Sequence, residues 1–116
     1  MIPKRETTER VVVHFTGNGE EDMDSIRAEH EARGLPEVGF HFFIDAEGKL
    51  FMGRHQSRVG AHHPEFDAIS IGVCVIGDRF FLNEEQELAM ILLMDKLRAD
   101  YPQAEKVNYV YRQPTG

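Results

Sequence analysis

Cysteine occurs once in this chain, as Cys74, so no intrachain disulfide framework can staple it, and a lone thiol suits a reducing compartment. No apolar run approaches the roughly 20 residues that a membrane-spanning helix requires. The opening segment Met1–Arg10 is polar and charged, without the apolar core of a secretory signal, so the expected location is the cytoplasm. Positive charge is scarce too: 13 Lys and Arg against 20 Asp and Glu give a formal charge of −7. A generic binder of phosphate backbones needs clustered cations, so nucleic acid is not an expected partner; a basic protein or an uncharged glycan remains compatible. Internal repeats, low-complexity tracts and linkers are all missing. One domain over residues 1–116 is therefore expected, with residues 1–9 as a polar N-terminal segment.

What is present reads as α/β. Val11-Val12-Val13-His14-Phe15 is a β-branched run closed by Thr16-Gly17-Asn18-Gly19, a buried strand entering a loop. A helix follows the acidic stretch Glu20–Asp24, with Asp24 or Ser25 as N-cap, Ile26 and His30 on one face, and Gly34 as C-terminal cap. Val38–Ile44 reads as a strand, Asp45–Gly48 as a turn and Lys49–Met52 as the returning strand. The segment Gly53–Ala68 is mostly loop, and Ser70–Ile76 is apolar enough to be a central strand covered on both faces. Asn83-Glu84-Glu85-Gln86 has the pattern of a capping box. It opens a helix whose apolar stripe is expected at Leu88, Ile91, Leu92 and Leu97, and which stops at Tyr101-Pro102. Val107–Tyr111 reads as the last strand. The order β-α-β-β-β-α-β implies a central mixed sheet flanked by helices.

Three stretches together resemble the type 2 N-acetylmuramoyl-L-alanine amidase family, which includes the phage lysozyme-type amidases and the peptidoglycan recognition proteins. They are Val11–His14, then Val38-Gly39-Phe40-His41-Phe42-Phe43-Ile44 with Gly48 and Gly53-Arg54, then Gly60-Ala61-His62 leading to Ser70–Gly77. Their order and spacing over roughly residues 10–114 are closest to the phage type. The resemblance implies the amidase fold, here C-terminally shortened, and hydrolysis of the amide between N-acetylmuramic acid and the first L-alanine of the peptide stem. It also implies a catalytic zinc, held by three protein ligands with one position left for an activated water.

Only one of those ligands is matched. His14 stands at the family's first-strand histidine, whereas a gapless alignment puts Tyr109 at the second, and the sequence reaches Gly116 about where the third would follow. A phenol of ordinary pKa about 10 is a poor substitute for imidazole. The family's catalytic tyrosine, a donor to the developing oxyanion, is replaced by Phe40; losing one such donor typically costs about 10²–10³ in rate. The lysine of some phage members falls near Thr115 and is not matched either. A pseudoenzyme without zinc or other cofactor is expected, with no catalytic residue.

The expected function is a non-catalytic binding protein whose groove is lined by His14, Phe40, Arg54, His62 and Tyr109. It would hold a muropeptide-like ligand or a host cytosolic protein, the latter because some phage amidases of this type also inhibit RNA polymerase. Two alternatives stay open: a zinc-dependent amidase or a fragment of one, and a sponge for a small molecule or nucleotide, using Arg54, Arg58 and Arg112 as a basic patch. Structural roles are expected for His30, His41 and the buried thiol of Cys74. Weak metal binding by His14 with His62 or His63 is open; adjacent extended residues point opposite ways, so those two are not expected to chelate one ion together. Tyr109, Tyr111 and Arg112 are of the types that dominate binding hot spots, although packing against a sheet face explains the tyrosines equally well.

Overall fold

A computed structural model describes residues 2–17 and 22–111. The first strand, β1 (Arg10–Phe15), is followed by helix α1 (Met23–Ala32). The short strands β2 (Phe42–Ile44) and β3 (Leu50–Met52) form a hairpin; β4 (Ser70–Val75), helix α2 (Glu84–Asp100) and β5 (Lys106–Tyr111) complete the chain. Single 3₁₀ turns at Asp67–Ile69 and Arg79–Phe81 precede β4 and α2. The expected order of helices and strands is the observed one.

The five strands lie in the order β3-β2-β4-β1-β5, with only the β2–β3 pair antiparallel. The central strand β4 is buried along its whole length, as its unbroken apolar run requires. Side chains alternate between the two faces. One face packs Val11, Val13, Phe15, Val73 and Val75 against Leu93 and Leu97 of α2. The other packs Phe43, Cys74 and Ile76, with Phe40 and Val38, against Ile26 of α1.

Both helix starts are closed by reciprocal capping. Asn83 Oδ1 accepts from the Gln86 N–H at 2.8 Å, and Gln86 Oε1 accepts from the Asn83 N–H at 3.2 Å. Gln86 is buried and also donates to the carbonyls of Ile76 and Asp45, tying α2 to the end of the sheet. Helix α1 begins earlier than expected: Asp22 is the N-cap and Ser25 the third helical residue of the box.

Two further expectations fail. The stripe on α2 is out of phase at three of its four expected residues: Leu88, Ile91 and Leu92 are 56%, 59% and 61% exposed, while Leu97 is buried as expected, together with Leu93 and with Ala89, Met90 and Met94 beside them. Both sets satisfy helical spacing, and only contact with the sheet selects one. The strand expected over Val38–Ile44 is cut to Phe42–Ile44: backbone pairing still reaches His41, whose N–H donates to the Gly72 carbonyl, and Phe40, whose carbonyl accepts the Arg54 N–H, but at Gly39 a side chain and a loop take over. The Gly39 N–H donates to His30 Nδ1 at 2.8 Å, and the Ala61 N–H donates to the Gly39 carbonyl at 3.0 Å.

Candidate functional site

The β1 register sets the site. His14 pairs with Cys74 on β4 and Val110 on β5, so all three project from the α1 face of the sheet. There they meet Phe40, from the loop before β2, and His62, from the loop before β4. The ring centroids of His14 and Phe40 are 5.0 Å apart, edge to face, and His14 Nε2 is 3.0 Å from His62 Nδ1. A cavity of about 310 Å³ opens here, lined by His14, Phe40, His62, Cys74 and Val110, with Ile26, Glu29, His30 and Arg33 supplied by α1.

His62 has no exposed side chain, and its ring lies against Gly72; a Cβ at position 72 would collide with the imidazole. Its Nε2 is 3.2 Å from Ser70 Oγ and 3.7 Å from Asp67 Oδ1. Asp67 also accepts the backbone N–H groups of His62 and His63, both at 2.8 Å, which locks the loop. Burial drives the His62 pKa down to about 2, assisted by His14 and His41. Burial first, then His63, lowers His14 to about 4. Both imidazoles are therefore neutral at neutral pH.

His30 and His41 have the structural parts expected of them, and His30 has more. His41, fully buried, accepts the Gly72 N–H at Nδ1 and donates from Nε2 to the Arg58 carbonyl. His30 fixes Gly39 through Nδ1 and also lines the cavity, 5.4 Å from the Phe40 ring centroid. Its sequence signal, one helical turn after Ile26 on the buried face, does not distinguish packing from lining.

The structure unites three of the five expected groove residues, His14, Phe40 and His62. Arg54 is elsewhere: it is buried, with its guanidinium donating to the backbone carbonyls of Val38, Val59 and Glu37 at 2.8–3.2 Å. It braces the segment that carries Phe40. Tyr109 pairs with Val13 and lies on the opposite face, stacked on Phe15 with the Arg79 guanidinium 4.4 Å from its ring centroid. The β5 residue beside His14 is Val110, one position along, and a one-residue step in a strand reverses the face. Arg112 and Thr115 lie outside the described residues. With Arg54 committed to carbonyls and Arg58 donating to the Ile2 carbonyl, the expected basic patch does not assemble among the described residues.

A catalytic zinc needs three convergent donors. Among the described residues, no group of three His, Cys, Asp or Glu side chains is placed to hold a metal ion. Beside His14 the β5 position is a valine, which offers no donor. These residues do not fit the metal. No helix among the described residues is long and apolar enough to cross a membrane.

A family model described as N-acetylmuramoyl-L-alanine amidase matches residues 4–112. The endolysin of Enterobacteria phage K11 is 31% identical over 111 residues, covering 87% of this chain and 74% of that one. Against other phage endolysins the chain spans about half of their length. Among solved structures, the amidase LysC from Clostridium intestinale URNW superposes with a TM-score of 0.85 at 23% identity, covering 94% of this chain and 74% of that one. The peptidoglycan recognition proteins LCa and LCx, solved as an ectodomain complex with tracheal cytotoxin bound, share the fold at a TM-score of 0.75 and 20% identity, covering 96% of this chain and 74% of that one.

Proposed function

Because the chain belongs to the N-acetylmuramoyl-L-alanine amidase family, we propose that it is a non-catalytic member that holds a muropeptide-like ligand in the cavity around His14. The observation that carries this reading is the donor set: a partly apolar cavity in which Phe40 and Val110 stand beside His14 and, among the described residues, no three donors converge to hold a metal ion. Hydrolysis of an amide at neutral pH needs an activated water and a donor for the oxyanion. Phe40 offers no donor, and neutral His14 alone neither holds zinc nor replaces it. The cavity keeps what recognition needs, namely shape, an apolar floor and a few fixed polar atoms. Support for the ligand class comes from the recognition proteins of the same fold solved with tracheal cytotoxin. Residence in the cytosol of a phage host belongs to the same reading and rests on composition.

The test pairs a metal analysis with a binding measurement. The purified protein should contain well under one zinc per chain, bind a muramyl dipeptide by calorimetry, and leave the muramyl–alanine amide uncut. His14→Ala should weaken that binding by about tenfold, the worth of ~1.4 kcal/mol. Stoichiometric zinc that His14→Ala removes, together with cleavage of the ligand, would favour the zinc-dependent amidase instead.

A further inference from the structure

Ser70 stands outside the cavity, fully buried at the start of β4, and nevertheless governs what the cavity presents. Its hydroxyl donates to the Phe66 carbonyl at 2.7 Å, a group that can only accept. Toward His62 Nε2, 3.2 Å away, the Ser70 oxygen is left as an acceptor, and Asp67 Oδ1 at 3.7 Å is a second acceptor facing the same nitrogen. Neutral His62 has one ring proton, and both neighbours demand it on Nε2, which leaves a lone pair on Nδ1. His14 Nε2 lies 3.0 Å from that lone pair and must carry the proton of its own ring. The opposite arrangement would set lone pair against lone pair at Ser70 and against a carboxylate at Asp67.

The consequence falls on the remaining nitrogen. His14 Nδ1 has no hydrogen-bond partner among the described residues and is not among their buried unpaired atoms, and the residue that carries it lines the cavity. We propose that Ser70 is a positioning residue that, acting through His62, fixes the His14 tautomer and makes Nδ1 an acceptor, so that the cavity selects ligands bringing a hydrogen-bond donor, such as an amide N–H, to that point. This deepens the binding reading given above and rests on it for the ligand, whereas the proton placement stands independently of any ligand.

Nitrogen-15 imidazole spectra of the full chain near neutral pH read the proton positions directly. In the unsubstituted protein, His14 and His62 should both be protonated at Nε2. Ser70→Ala should shift the His14 tautomer ratio about fivefold toward Nδ1–H, the worth of one neutral hydrogen bond, and Ser70→Thr, which keeps the hydroxyl, should restore it. Binding of muramyl dipeptide should fall by a similar factor in Ser70→Ala and recover in Ser70→Thr. A proton on His14 Nδ1 in the unsubstituted protein overturns the proposal, a reading that needs no variant to fold. An unchanged His14 tautomer in folded Ser70→Ala overturns it as well. Expected tautomers with no affinity for muramyl dipeptide would retire the ligand reading and leave the role of Ser70 standing.

Discussion

Arg54 shows how a residue can matter to a site without touching a ligand. Its guanidinium satisfies the carbonyls of Val38, Val59 and Glu37, while Glu37 Oε1 lies 3.8 Å from Nε. Removing it strands those acceptors and loosens the segment that holds Phe40 in the cavity wall. Hydrogen bonds to charged groups contribute about 1.5–3 kcal/mol each, so Arg54→Ala should destabilise the fold by about 3 kcal/mol, read from the urea midpoint. Arg54→Lys should recover little, since an ammonium cannot reproduce the planar fork that meets three carbonyls. A variant as stable as the parent would mean that the carbonyls find other partners. Phe40 differs, because its ring edges directly against His14 in the cavity wall and brings no hydrogen-bonding group of its own.

At the level of elements, α2 and β5 carry the same lesson with different periods. The helix has apolar residues on two faces, and only the one containing Leu93 and Leu97 meets the sheet. Leu93→Ala should cost about 3 kcal/mol, as cavity-forming substitutions do. Leu92→Ala, at a site 61% exposed, should change stability by less than about 0.5 kcal/mol. Paired chemical denaturation curves check the contrast; equal losses would mean that the exposed face is covered in solution. On β5 the period is two, so Tyr109 and Val110 look in opposite directions. An ungapped match of the strand to a family pattern has no means of seeing which of them faces His14, because the parity is set by pairing with β1.

Considered as a whole molecule, the domain has placed a row of neutral imidazoles in its interior, with His62 in ring contact with both His14 and His41. Burial is the first cause of the lowered pKa in each, to about 4 for His14 and His41 and about 2 for His62. The unfolded chain takes up these protons near the ordinary histidine value of about 6.5, before the folded state does. Their neutral burial is therefore fully tolerated above about pH 6.5, and stability is lost as pH falls from there toward about 4. Each histidine contributes up to about 1.4 kcal/mol per pH unit across that window. Urea unfolding followed from neutral pH downward should show a slope above that of one proton, and a flat profile would contradict neutral burial.

Sequence alone determined the element order, the buried central strand, the capping box on α2 and the family, because these rest on local periodicity, turn chemistry and motif spacing within one stretch of chain. It also placed His14, Phe40 and His62 at one site. Tertiary structure decided the rest. It turned Tyr109 away, drew Arg54 inside, brought His30 to the cavity wall and put Ser70 behind His62, since strand register, helix phase and the direction of a hydrogen-bond chain are set by partners distant in the chain.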